Sequence, residues 1–157
     1  MVGLMGTGKT TTGRLVAEAL GLPMTDSDAY LNERYGHSAN QIAETLGPDV
    51  LHAREAEHVL DALERTPRVI AAAASVVEDP RVREALRTPF VVWLDAPDAV
   101  LEQRMQSSSH RPDFDPETLR ARREPHYREL ADLTVDVAAN RPEPAARLIL
   151  DAVGASK

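Results

Sequence analysis

The sequence predicts an α/β domain in three layers, with helices on both faces of a parallel sheet of about five strands. Three observations point there. Short runs rich in valine and isoleucine alternate with longer stretches of helical period, and a glycine-rich turn stands immediately before the first such stretch. The length of 157 residues, 43% of them hydrophobic, suits one compact unit, residues 1–157, with a sizeable core.

Taken in chain order, the first strand is truncated: only Met1 and Val2 precede Gly3, where about five or six residues are usual. In a doubly wound sheet that strand is central, so its neighbours are expected to be left with unpaired backbone groups. The natural chain is accordingly expected to begin upstream, and a chain starting at this Met1 to be of low stability. Lys9–Leu20 reads as a helix, apolar at Leu15, Val16 and Leu20, stopped by Gly21 with Pro23 beyond. Met24 and Thr25 look like a strand end. Ser38 and Gln41 have capping-box spacing ahead of a helix closing at Gly47. Residues 49–63 and 143–153 are the other long helices, the last entered through Pro142 and Pro144. Residues 68–73, 90–95 (FVVWLD) and 133–137 are strands, with Trp93 a core residue rather than a stacking platform. Residues 107–123 carry two prolines and few apolar side chains, so a mobile lid is expected over about 105–124.

Composition narrows the function. With 18 basic against 25 acidic residues, the net charge of −7 argues against a nucleic-acid or anionic-membrane partner held by the overall field. The absence of cysteine excludes disulfides, thiolate catalysis and zinc–sulfur sites, and makes a reducing cytoplasm the natural compartment. No apolar run reaches the roughly 20 residues of a membrane span, and no signal peptide is legible. A monomer is expected. His37, His52, His58, His110 and His126 make no metal-ligand pattern.

Residues 3–10, GLMGTGKT, fit G-x-x-x-x-G-K-[ST] ahead of a helix. Glycines let successive amides point at phosphate oxygens, and the helix N-terminus adds partial positive charge. Lys9 would reach the outer phosphates and the Thr10 hydroxyl would take a position on Mg²⁺. Asp26 and Asp28, two apart at a strand end, open two readings: a metal-shell carboxylate beside one that addresses an acceptor hydroxyl, or a helix N-cap.

These residues resemble the shikimate kinase family of small P-loop kinases along nearly the whole chain. GLMGTGKTTTGRLVAEALGLP followed by DSD carries most of the likeness, with Gly36, Ser38, Ile42 and Gly47 in the substrate helices. The resemblance implies transfer of the ATP γ-phosphate to a small-molecule hydroxyl with Mg²⁺. Gly3, Gly6, Thr7, Gly8, Lys9, Thr10 and Thr11 would bind ATP, with Arg104 stacking on adenine and Arg141 in the adenine loop Asn140-Arg141-Pro142. Thr10 and Asp26 would serve the metal, Asp26 through water. Lys9, Asp28 and Arg111 would be catalytic, Asp28 at the acceptor hydroxyl and Arg111 neutralising the transferring group. Arg128, after Tyr127, would be an acceptor arginine oriented by Glu55. The likeness departs at the acceptor end. The family's arginine before a glutamate in its third helix, which grips the substrate carboxylate, is replaced by His52 ahead of Glu55, and three consecutive glycines become Ala73, Ala74 and Ser75. Arg54 stands about 200° round the helix from His52 and is a poor substitute. An altered acceptor site is therefore expected, with shikimate phosphorylation proper and a nucleotide-binding protein of little turnover as the alternatives.

Overall fold

The computed structural model describes residues 1–106 and 116–155; the expected lid arginine, Arg111, lies outside the described residues. In chain order the elements are α1 (Lys9–Leu20), β1 (Met24–Asp26), α2 (Ser27–Tyr35), α3 (Ala39–Leu46), α4 (Pro48–Leu63), β2 (Val69–Ala71), a 3₁₀ turn (Ala74–Glu78), α5 (Pro80–Ala85), β3 (Val92–Asp95), α6 (Asp98–Gln106), α7 (Pro116–Leu130), β4 (Leu133–Asp136) and α8 (Pro142–Ala155).

Two parallel strand pairs form the sheet, β1 with β2 (Thr25 opposite Ile70) and β3 with β4 (Leu94 opposite Val135). Met1 and Val2 lie between them. The Met1 amine donates to Ile70 O at 2.9 Å and Ala72 N to Met1 O at 3.1 Å. Val2 N donates to Val92 O at 2.8 Å, and Leu94 N to Val2 O at 2.9 Å. The central position is thus occupied, and these neighbouring groups of β2 and β3 are paired through two residues rather than left open. Counting that segment, the layer has the expected strand number, in the order β1, β2, residues 1–2, β3, β4.

Sequence signals at helix ends have direct structural counterparts. Gly21 closes α1 in the left-handed conformation, φ 67°, with its amide on Glu18 O. The Ser38–Gln41 capping box is made in both directions, at 3.2 and 2.8 Å. On one face α1 packs on α8 and reaches β1 and β2, while α4, α5 and α7 gather round the 3₁₀ turn. The main core runs through Val2, Leu94, Val135 and Ile149. Trp93 sits in it with 4% exposure, stacked on Tyr127 at 5.8 Å, as expected of a packing residue. A separate cluster, Leu31, Ile42 and Leu51, each fully buried, ties α2, α3 and α4 together. Burial of about 1.5–3 kcal/mol per such side chain gives the helices beyond β1 an anchorage of their own.

The chain departs from expectation most in α7. Residues 116–124, read as part of a mobile stretch, are helical, and α7 continues through Pro125 to Leu130. Ion pairs do there what apolar side chains do elsewhere. Arg120 is held by Asp98 at 2.7 Å, Asp95 at 2.9 Å and Glu124 at 3.1 Å, and donates to Ala96 O at 2.6 Å. Arg123 pairs with Glu78 at 2.9 Å. Acidic side chains within the fold thus pair with Arg120, Arg122, Arg123 and Arg128 of α7.

Candidate active site

A cavity of about 530 Å³ opens at the carboxyl ends of the strands, where a parallel sheet presents its crevice. Met5, Gly6, Gly8, Lys9, Thr10 and Thr11 line one end of it. Gly6 and Gly8 have φ of 88° and 79°, the second as N-cap of α1, so the loop turns where L side chains are disfavoured. Gly3 has a different role from that expected. It does not line the cavity; at φ 143° a Cβ there would lie 2.3 Å from Leu94 O, so glycine allows residue 3 to close against β3. Thr7 likewise turns inward, its hydroxyl donating to Leu4 O at 2.9 Å.

The Lys9 ammonium donates to the loop's own carbonyls, Gly3 O at 2.9 Å and Leu4 O at 3.2 Å. Burial lowers its pKa to about 8, against the opposing pull of Glu55 and Asp28. Arg104, on α6, bridges Gly6 O at 2.8 Å and Val137 O at 3.2 Å, and so joins the phosphate loop to the loop after β4. Arg141 is in that second loop but does not line the cavity. Its carbonyl accepts from Ala145 N at the start of α8.

Asp26 and Asp28 both line the cavity, though not as two residues of one extended face. Asp26 ends β1 and is the N-cap of α2, accepting from Ala29 N at 2.8 Å, whereas Asp28 is in the first turn of α2. The capping and site readings of this pair are therefore compatible. His52, on α4, lines the cavity with Ala73, Ala74 and Ser75. Arg54 is elsewhere, its guanidinium 3.9 Å over the Tyr35 ring.

Glu55 is 6% exposed and accepts from Ser75 Oγ at 3.0 Å, not from Arg128. Arg128 is a correction. It lies on the exposed side of α7, pairs with Glu124 and stands 5.6 Å over the Trp93 ring, away from the cavity. The α7 arginine that does line the cavity is Arg123, 5% exposed. A helical reading of the sequence could have found it, since Arg123 is four residues before the buried Tyr127 and shares its face, whereas Arg128 is about 100° round. Tyr127 supports the same wall, donating to Ala74 O at 2.7 Å. Glu57 accepts from Tyr30 and Tyr35 at 3.0 and 2.8 Å and pairs with Arg34.

Comparison with known proteins gives this architecture its relatives. The family model for shikimate kinase matches residues 5–154. A shikimate kinase of Halorhodospira halophila is 37% identical over 98% of this chain and 91% of its own length. One from Thermobifida fusca is 34% identical over 95% and 90%. The solved structure of shikimate kinase from Acinetobacter baumannii in complex with shikimate superposes with a TM-score of 0.91 at 30% identity, covering 99% of this chain and 92% of the other.

Proposed function

This chain belongs to the shikimate kinase family of ATP-dependent kinases acting on a small-molecule hydroxyl, and we propose that the cavity between the phosphate loop and α4 is where that reaction takes place. One observation carries the assignment: Lys9 and Thr10 of the loop line the same cavity as Asp28, Glu55 and Arg123, so both reactants have a place within one enclosure. The loop amides and Lys9 hold the triphosphate, the ammonium exchanging Gly3 O and Leu4 O for phosphate oxygens. Arg104 flanks the nucleotide end.

The donor set fits Mg²⁺, a hard cation that prefers oxygen: the Thr10 hydroxyl would take a coordination position, and Asp26, one of whose oxygens is occupied as a helix cap, would act through bound water. When bound, the metal offsets phosphate charge. Asp28 orients the acceptor hydroxyl and takes its proton as the oxygen attacks the γ-phosphorus. The bond from that phosphorus to the bridging oxygen breaks, and ADP leaves. Arg111 retains its proposed role of neutralising the transferring group.

Shikimate is the acceptor that family membership nominates, and the lining of the cavity by Asp28, Glu55 and Arg123 supports that reading. The floor differs at His52 and at 73–75, so the activity we propose is phosphorylation of a small hydroxyl compound of that general size. The reading includes a cytoplasmic monomer without a nucleic-acid partner, supported by the cysteine-free, acidic composition. Among the described residues no helix is long and apolar enough to cross a membrane. The test is ADP release from ATP and Mg²⁺ against a panel of cyclitols, sugars and shikimate, beside calorimetric titration with ATP and Mg²⁺. Acceptor-dependent turnover lost in Lys9→Ala is expected. Folded protein that takes up no ATP, or releases no ADP with any acceptor, would overturn the assignment.

A further inference from the structure

Resting on the acceptor role proposed for Asp28, we infer that Glu57 is a positioning residue for the phosphoryl transfer: from α4 it grips α2 and so fixes where Asp28 stands in the cavity. Among the described residues no hydrogen bond reaches the Asp28 carboxylate; the one at that residue runs from Asn32 Nδ2 to its backbone carbonyl at 3.1 Å. Its place is therefore set by α2 as a body. Glu57 holds that body at two heights. Its Oε1 accepts from the Tyr30 hydroxyl at 3.0 Å and its Oε2 from Tyr35 at 2.8 Å, while Arg34 Nε closes on Oε1 at 3.0 Å. Burial and the bond to Glu57 push the pKa of the Tyr30 hydroxyl up to about 12, so it keeps its proton at ordinary assay pH.

The next residue secures the other end. His58 Nε2 lies 3.0 Å from the Thr25 hydroxyl, and its ring is 4.9 Å from that of Tyr30. Two successive residues of α4 thus tie down residues 25 and 30, and Asp28 lies between them. The same helix lines the cavity with His52 and Glu55, so the clamp also sets the spacing between that wall and Asp28. Leu31, buried with Ile42 and Leu51, gives α2 an apolar anchor. Apolar burial has no direction and leaves rotation about the helix axis open, whereas hydrogen bonds are directional. A rotation of about 15° shifts a carboxylate roughly 5–6 Å from the axis by about 1.5 Å. A misplacement of about 1 Å costs on the order of 100-fold in rate.

Variants assayed with ATP, Mg²⁺ and the fastest acceptor among shikimate, cyclitols and sugars, beside urea unfolding, separate positioning from structural support. Glu57→Ala is expected to lower kcat at least about tenfold, with the KM for ATP within about twofold of wild type. Glu57→Gln keeps an acceptor for Tyr30 and can donate to the Tyr35 oxygen, so it should retain at least about a third of the kcat; the exposed Arg34 pair adds little. Tyr30→Phe combined with Tyr35→Phe leaves the rings in place and removes only the donors. It should match Glu57→Ala, and it carries the test if Glu57→Ala does not fold. Joining all three substitutions should cost no more than about twofold beyond either set. An unchanged kcat in folded Glu57→Ala or in the double phenylalanine variant, whatever the loss in urea, overturns the inference. A rise in the KM for ATP matching the fall in kcat, or Glu57→Gln as slow as Glu57→Ala, overturns it too, and each of these results leaves the kinase assignment intact. A folded wild type that takes up ATP but turns over no acceptor removes the acceptor role of Asp28 and the inference with it; absence of ATP uptake removes the kinase reading itself.

Discussion

Acidification should destabilise this protein through one buried imidazole. His58 on α4 is 1% exposed, its Nε2 lies 3.0 Å from the Thr25 hydroxyl on β1, and its Nδ1 is buried without a partner. Burial lowers its pKa from 6.5 to about 4, although Asp26 and Asp61 pull the other way. Below pH 6.5 the unfolded chain takes up a proton that the folded chain refuses, so the stability present above that pH is lost as pH falls toward 4. At 1.36 kcal/mol per pKa unit, the loss amounts to about 3 kcal/mol, a large share of the 5–15 kcal/mol of an ordinary domain. Carboxylates also titrate in this range, so the informative quantity is a difference. Urea unfolding of the wild type and of His58→Gln at pH 7, 5.5 and 4.5 should show the wild type losing about 2–3 kcal/mol relative to the variant across the series. A difference constant within about 0.5 kcal/mol would show that the imidazole protonates without leaving its site, and the reasoning from burial would fail.

Three further outcomes are expected. Gly3→Ala must move residue 3 from β3, weakening the two Val2 hydrogen bonds there and straining a positive φ. Urea unfolding should show a cost of about 3–5 kcal/mol, and a loss under about 1 kcal/mol would refute the close-approach role of this glycine. ATP affinity should fall as pH rises above about 8, because Lys9 with its lowered pKa must then regain a proton to meet phosphate; calorimetry in buffers of different ionisation enthalpy should detect proton uptake, and none at pH 9 would contradict the assignment. Tyr127→Phe removes the donor to Ala74 O and should lower kcat/KM for the acceptor about 5- to 30-fold, with the KM for ATP nearly unchanged.

Much of the frame was readable because it obeys local rules. The helix after the phosphate loop, its glycine stop and the Ser38 capping box each rest on a few neighbouring residues. The α7 segment was not readable in this way. Its burial depends on Asp95, Asp98 and Glu78, supplied from distant parts of the chain, so neither hydropathy nor proline content of the segment itself signals a helix. The same limit explains Arg128. Adjacency to Tyr127 is a statement about the chain, while access to the cavity depends on the angle round α7, and Arg123 has that angle. Asp26 and Asp28 were recognisable as a pair at the end of β1, and both line the cavity, although the strand-to-helix junction that carries them differs from the extended segment their spacing suggested.

The two residues between β2 and β3 lead straight into the nucleotide cradle, so whatever grips the cradle also splices the two wings of the sheet. Occupancy then governs durability: ligand at a hundred times its dissociation constant adds about 2.7 kcal/mol to the folded state. Without nucleotide, such a protein would be more open to proteolysis.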